Sequence, residues 1–267
     1  GTPIKGFLGG FFELRAEKES LAKQLGTVVV DMIEASSIPV DKDLGDPERI
    51  DLLQLQITGL KDFALPTSPR QRVLRRNRNT LWLELRRDQR WQKGQPLKPE
   101  ERTTFLQPTT TLPSDHELIR SKAREIVGLE KDLLKKADLL KTWVYRHVRQ
   151  TMAANKSTAL DVLQDQSGDC TEITMLFVAL ARASDIPARE VGGVIFANEG
   201  RPMFGWHAWA EVHDGHQWVS VDPTWNQLYI DATHIKLDED KNDWSWVNLL
   251  GQMTIKVVKF TPRKENG

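Results

Sequence analysis

The apolar residues of this chain change their spacing twice, and that double switch limits the folds open to it. From Asp51 to Thr58, and again from Thr80 to Leu85, apolar and polar residues alternate. Thr27-Val28-Val29-Val30 is a β-branched run, and each run is bounded by turn-prone residues. This spacing predicts strands across much of 25–110, with Phe11 to Gln24 open to either helix or strand. Thr103 to Pro113 reads as a connector. Beyond it the period becomes helical. Ser114 and Glu117 have the spacing of a capping box, followed by Ile119, Ala123 and Ile126. Leu133, Ala137, Leu140, Val144 and Val148 then form a second stripe, with Trp143 and Tyr145 expected in the core beside it. A short helix is expected around Ala159 to Leu163. Ile173, Leu176, Phe177, Leu180 and Ala181 mark a buried helical face that Ile186-Pro187 brings to an end. Extended segments return at Glu190–Phe196, Gly205–Val212 and Gln217–Val221. The expectation is an α+β chain: a β-rich N-terminal domain over residues 1–110, then a domain over 111–267 that places helices before an antiparallel sheet.

Two domains also suit a length of 267 residues, enough to bury a core without disulfides or metal. Basic and acidic residues balance at 37 each, which argues against a nucleic-acid partner. Local basic runs, Arg70 to Arg76 and Arg86 to Arg90, read as solvated charge on edge strands and loops. No apolar run is long enough to span a membrane. The start, Gly-Thr-Pro, reads as a trimmed or processed form from which a signal peptide or anchor could have been removed. Six of the nine tryptophans lie between Trp206 and Trp246, a concentration that suits either a core or an aromatic-walled cleft.

The single cysteine, Cys170, follows Gly168-Asp169 at the head of a predicted helix. There the helix dipole and the unpaired first-turn amides favour thiolate over thiol, and the same amides can donate to an oxyanion. His213-Asp214-Gly215-His216 has the pattern of a two-residue hairpin turn. Counting outward from it sets His207 directly opposite Asp222, within reach of an imidazole–carboxylate hydrogen bond. His207, Trp209, Glu211 and His213 would share a face able to line a cleft, while Ala208, Ala210 and Val212 would pack on another element. His213 and His216 are expected to be exposed beside the turn. Zinc would accept Cys170, His207, His213 and Asp222 as ligand types, but closely spaced ligand pairs are absent, so neither metal nor cofactor is expected.

Three segments carry a resemblance. Gly168-Asp169-Cys170-Thr171-Glu172, with Ala179 to Ala183 and Ile186-Pro187-Ala188-Arg189, is similar to the cysteine helix of bacterial transglutaminase-like proteins. His207 to Val212 and Trp218 to Thr224 resemble that superfamily's histidine and aspartate strands. The resemblance covers roughly 115–230. It implies a papain-like fold with the helix bearing Cys170 packed on a sheet bearing His207 and Asp222, and acyl chemistry through a thioester. It also implies that Cys170 attacks an amide carbonyl, that His207 protonates the leaving amine and then activates water or an amine, and that Asp222 orients His207. Gly-Asp-Cys departs from the Gly-Gln-Cys-Trp of animal crosslinking enzymes, which counts against calcium-triggered crosslinking.

The leading expectation is therefore a thiol hydrolase, a protease or amidase, acting on a peptide or protein substrate. The alternatives are a transamidase and a silent peptide-binding pseudo-enzyme. Glu172, Trp206 and Trp209 are the residues expected near the substrate. Asp238 to Trp246 would be a flap or a surface loop. Family habit and the trimmed start favour a bacterial periplasm or cell envelope.

Overall fold

A computed structural model describes residues 5–8, 12–15, 37–60, 63–151, 156–198, 200–239, 249 and 252–263. The run Thr27–Val30 lies outside them, as does Asp238–Trp246 beyond Glu239. Of the ambiguous stretch from Phe11, residues Phe12–Arg15 form a strand (β2) antiparallel to Lys5–Leu8 (β1).

The alternation in the N-terminal half does become strand. Ile50–Thr58 (β4) pairs with Thr80–Arg86 (β6), which pairs with Gln71–Arg76 (β5). Every second residue turns inward, so Leu53, Leu55, Ile57, Leu81, Leu83 and Leu85 are buried. The fourth strand of this sheet comes from the far end of the chain: Thr254–Pro262 (β14) lies antiparallel to β4.

The helical segments follow the apolar stripes. Glu117–Val127 (α2) follows the short helix Pro99–Thr104 (α1), which occupies the start of the expected connector. The Ser114–Glu117 capping box does not form: the cap is His116, whose Nδ1 accepts from the Leu118 amide at 3.2 Å. Ser114 is instead buried in the preceding turn. Leu133–His147 (α3) is capped by Asp132, which accepts from Lys135 N at 2.9 Å, and buries Ala137, Leu140 and Val144. Tyr145 points outward and is exposed, one position off that stripe, so its expected place in the core is corrected. Trp143 packs against the core and stacks on His147 at the end of the helix. Ala159–Asp165 (α4), flanked by the short parallel strands Arg149–Gln150 (β7) and Ser167–Gly168 (β8), leads into Cys170–Ala183 (α5), whose residues from Glu172 to Ala181 are all buried.

A second, six-stranded antiparallel sheet lies against α5. Ala188–Asn198 (β9), Pro202–His213 (β10), Trp218–Asp222 (β11), Gln227–Leu228 (β12) and Ile235–Glu239 (β13) run in the order β12-β11-β10-β9-β13, with Ile38–Pro39 (β3) also pairing with β10. Ala210, Val212, Val219 and Val221 pack with the apolar residues of α2 to α5, as the small residues of β10 predict. The core under the first sheet is not confined to it: Leu53, Leu83 and Ile255 share one apolar cluster with Val194, Phe196, Phe204 and Ile235.

The turn between β10 and β11 corrects the register. Ala210 pairs with Val221 and His213 with Trp218, so the loop is the four residues Asp214–Gln217 rather than two. Asp214 Oδ1 accepts from His216 N and Gln217 N, both at 2.7 Å, which folds the loop back on that side chain. Gln217 is drawn toward residues 89–91, its Oε1 accepting from Trp91 N at 2.7 Å and its Nε2 donating to Gln89 O at 2.8 Å. Asp222 therefore stands two positions from its expected level. Because side chains alternate with period two, a slip of two leaves it on the His207 face.

Candidate active site

The cysteine enters the site through its helix cap. Asp169 Oδ1 accepts from Glu172 N at 2.9 Å and Glu172 Oε2 accepts from Asp169 N at 3.0 Å, a reciprocal box that starts α5 at Cys170. The other Glu172 oxygen accepts from the Lys156 amide. Glu172 is thus buried scaffold that fixes the helix start. Gly168 is required by that closeness, since a Cβ there would lie 2.9 Å from Glu172 Oε2. Cys170 itself is half-buried, and it lies close enough to His207 to favour the charged ring.

His207 sits on β10 opposite Gly193. Its Nε2 donates to Asp222 Oδ2 at 2.8 Å, because a carboxylate can only accept. The ring nitrogen left toward Cys170 is then Nδ1. Asp222 is held on its other side as well, Oδ1 accepting from the backbone amides of Thr224 at 2.8 Å and Trp225 at 3.1 Å. Burial works against a charged imidazole, but the Asp222 carboxylate, its hydrogen bond and the neighbouring Cys170 outweigh it and raise His207 to about 10. Burial likewise opposes the Asp222 carboxylate, and the charge and hydrogen bonds of His207 and His234 overcome it, holding Asp222 well below the usual carboxylate range. A thiol, an imidazole and a carboxylate so placed can pass a proton from sulfur to the ring.

Around this chain the aromatic residues divide. Trp209 is fully buried, with its ring 6.3 Å from that of His207, and forms the floor beneath it; it presents no surface to a ligand. Trp206 is partly buried against the shared core, its ring in the space a Cβ on Gly192 would need. Trp225, which the sequence reading overlooked, has its ring centre 5.5 Å from that of His207 and is only partly buried. The face shared by His207, Trp209 and Glu211 is therefore largely covered rather than open. Glu211 is drawn down to about 2: burial resists its charge, but Lys236 and then Arg189 more than compensate, at 2.8 and 2.7 Å. His213 is buried too, its ring 3.0 Å from Gln95 O, contrary to its expected exposure beside the turn.

One member of the site had no signal in the spacing. His234, in the turn before β13, is completely buried with Nε2 3.3 Å from Asp222 Oδ2. The ligand atoms of His207, Asp222 and His234 lie within 4.8 Å of one another, a donor set that zinc accepts. Hydrogen bonds of 2.8 and 3.3 Å through Asp222 Oδ2 satisfy the three without an ion.

A cysteine at the head of a central helix, facing a histidine and an aspartate on an antiparallel sheet, defines a papain-like architecture of the transglutaminase-core type. Residues 120–223 match the model of the transglutaminase-like superfamily. An uncharacterised Haemophilus influenzae protein is 33% identical over 98 residues, 34% of this chain and 26% of that one, so the match spans about a quarter of that relative's length. A candidate cysteine protease of Cytophaga hutchinsonii has the same fold, with a TM-score of 0.52 at 17% identity over 80% of this chain and 86% of that one. The periplasmic domain of TgpA from Pseudomonas aeruginosa aligns with a TM-score of 0.46 at 16% identity, over 73% and 91% of the two chains. Among the described residues no helix is long and apolar enough to cross a membrane.

Proposed function

We propose that this protein is a thiol-dependent hydrolase, a protease or amidase, that cleaves peptide or protein amides through Cys170, His207 and Asp222. The observation that carries the reading is the buried His207–Asp222 hydrogen bond of 2.8 Å, with Cys170 at the head of its helix beside the ring. In the first half-reaction Cys170 Sγ, its proton passed to His207, attacks the amide carbonyl carbon. The oxyanion is met by amides at the head of α5, which have no carbonyl one turn earlier to bond. As the tetrahedral adduct collapses, His207 gives its proton to the departing nitrogen, the C–N bond breaks and a thioester remains. In the second half-reaction water loses a proton to His207 and attacks the thioester, and the acid leaves as Cys170 recovers its proton. Asp222 keeps the ring in one tautomer and orientation throughout.

Within this reading residues 111–267 form the catalytic unit and 1–110 the β-rich unit set before it, with β14 reaching back to complete the latter's sheet.

The test is incubation of the protein and its Cys170→Ala variant with a diverse peptide library, with and without a biotinylated primary amine. Hydrolysis gives new carboxyl termini that require Cys170, and hydroxylamine intercepts the thioester as a hydroxamate. Biotin incorporated in preference to hydrolysis would reassign the protein as a transamidase. If no product depends on Cys170, the hydrolase reading is overturned in favour of a peptide-binding pseudo-enzyme.

A further inference from the structure

His234 belongs to no motif and to no regular strand, yet both of its ring nitrogens face carboxylates. Nε2 is 3.3 Å from Asp222 Oδ2 and Nδ1 is 3.2 Å from Asp231 Oδ1. Carboxylate oxygens only accept, so in each contact the imidazole nitrogen is the donor. The ring is completely buried and stands edge-on to Trp209, with centroids 5.3 Å apart and an interplanar angle of 84°.

Asp231 is fixed as firmly as Asp222. Its Oδ1 accepts from Thr233 N at 2.8 Å and Thr233 Oγ1 at 2.7 Å, and its Oδ2 accepts from Gln227 Nε2 at 2.8 Å. The turn that carries both residues is gripped from the N-terminal sheet. Arg70 Nη2 donates to Asp231 O at 3.0 Å and to His234 O at 3.1 Å. Next to it, Gln71 Nε2 donates to Lys236 O and Gln71 Oε1 accepts from Lys236 N, both at 2.8 Å. Arg70 is buried, although a surface guanidinium could remain in water, so the protein accepts its desolvation to hold this one turn.

We propose that His234 is a positioning residue for the Cys170–His207–Asp222 triad, holding the Asp222 carboxylate in line with His207 from a turn anchored by Arg70 and Gln71 of the N-terminal unit. This inference rests on the hydrolase reading above. It extends the site from Cys170 back to Asp231 and gives the β-rich unit a part in its geometry. Donors reach Asp222 from four directions: His207, His234, and the amides of Thr224 and Trp225. The two amides fix Oδ1, but Oδ2, the oxygen that serves His207, is held from behind by His234 alone among these. Without that donor the carboxylate can turn about its Cβ–Cγ bond, and the His207 ring loses its alignment toward Cys170.

The experiment measures the rate of iodoacetamide alkylation at Cys170 near neutral pH in four proteins: unaltered, His207→Ala, His234→Gln and His234→Asn. Glutamine places an amide donor where Nε2 stands and can still reach Asp222. Asparagine, one methylene shorter, places its donor near Nδ1 and reaches only Asp231. Both are polar, glutamine is close in volume to histidine and asparagine is smaller, and thermal unfolding checks that each variant is folded. The expected result is that His234→Gln alkylates within a few-fold of the unaltered protein, while His234→Asn slows by about tenfold or more, as loss of an outer partner to a working imidazole does elsewhere. Equal rates in the Gln and Asn variants would overturn the proposal, since a purely structural role does not distinguish which nitrogen is replaced. His207→Ala separates the two failures. If it too alkylates at the unaltered rate, the hydrolase reading falls; if it slows while both His234 variants stay fast, only the role of His234 falls.

Discussion

At the residue scale the site depends on one carboxylate. Asp222→Asn keeps shape but removes the charge that holds His207, and it should lower Cys170-dependent turnover by about 10^3 to 10^4-fold, the scale found where a triad aspartate becomes an amide. Asp222→Ala removes the partner of a buried imidazole and should cost roughly 3–5 kcal/mol of stability. That cost should itself depend on pH. His207 lies above its ordinary 6.5, at about 10, so its share is fully present below about 6.5 and fades as pH rises toward 10. Asp222 lies below its ordinary value, so its share is present above about pH 4 and fades as pH falls further. Urea unfolding across pH should show the largest gap between unaltered and Asp222→Ala protein from about pH 4 to 6.5; a gap that widened above pH 8 would contradict the assignment. The closeness of Cys170, His207 and Asp222 was legible in the sequence because each sits at a position its element makes special. The cysteine opens a helix directly after its cap, Asp169, and the other two share the parity of a hairpin. Parity survived the two-residue error in register, which is why a wrong pairing still led to the right neighbours. His234 was not legible: it lies in an irregular turn, where no periodicity links it to Asp222.

At the scale of elements, β9 is the strand with least room. A Cβ on Gly193 would lie 2.0 Å from Ile235 O and 2.7 Å from Trp209 Cη2, so the glycine lets β13 and the tryptophan floor approach together. Gly193→Ala should destabilise by about 3 kcal/mol or more, because backbone rather than a flexible side-chain tip must shift. It should also slow Cys170 alkylation, since Lys236, two residues past His234, pairs with Gly193. Unchanged denaturation and alkylation would show that β13 can yield without disturbing the site. Helices were legible where a stripe was long. The face of α5 and the stripe of α3 are buried as their spacing indicates. Helix starts were less so: at α2 the cap fell to His116, because Ser114 had been taken into the preceding turn. Tyr145 and His213 went astray for a common reason. Residue type suggests a preference, but orientation on α3 and contact with Gln95 decided the outcome.

At the scale of the whole molecule, one apolar cluster joins strands 50–58 and 80–86 to strands of the second sheet and to β14. A shared core predicts that both sheets unfold in one cooperative transition. Removing residues 254–267 would strip Ile255 and Val257 from that core along with one strand of the first sheet, and should broaden or abolish the transition. Two resolved calorimetric transitions in the intact chain would refute this. The order of strands and helices could be read from changes in period, but the return of β14 to β4 could not. Thr58 and Thr254 pair across a separation of 196 residues, and no local pattern reports a partner that distant.

The most direct test of the central claim is the pH dependence of iodoacetamide alkylation at Cys170 in the unaltered protein, His207→Ala and Asp222→Asn. If Cys170 and His207 form an ion pair stabilised by Asp222, the unaltered protein should alkylate at about pH 6, well below the free-thiol midpoint near 8.5. Both variants should lose that low-pH reactivity. Alkylation that rises only near pH 8.5 in all three proteins would contradict the account, leaving Cys170 an ordinary thiol beside a structural histidine–aspartate pair.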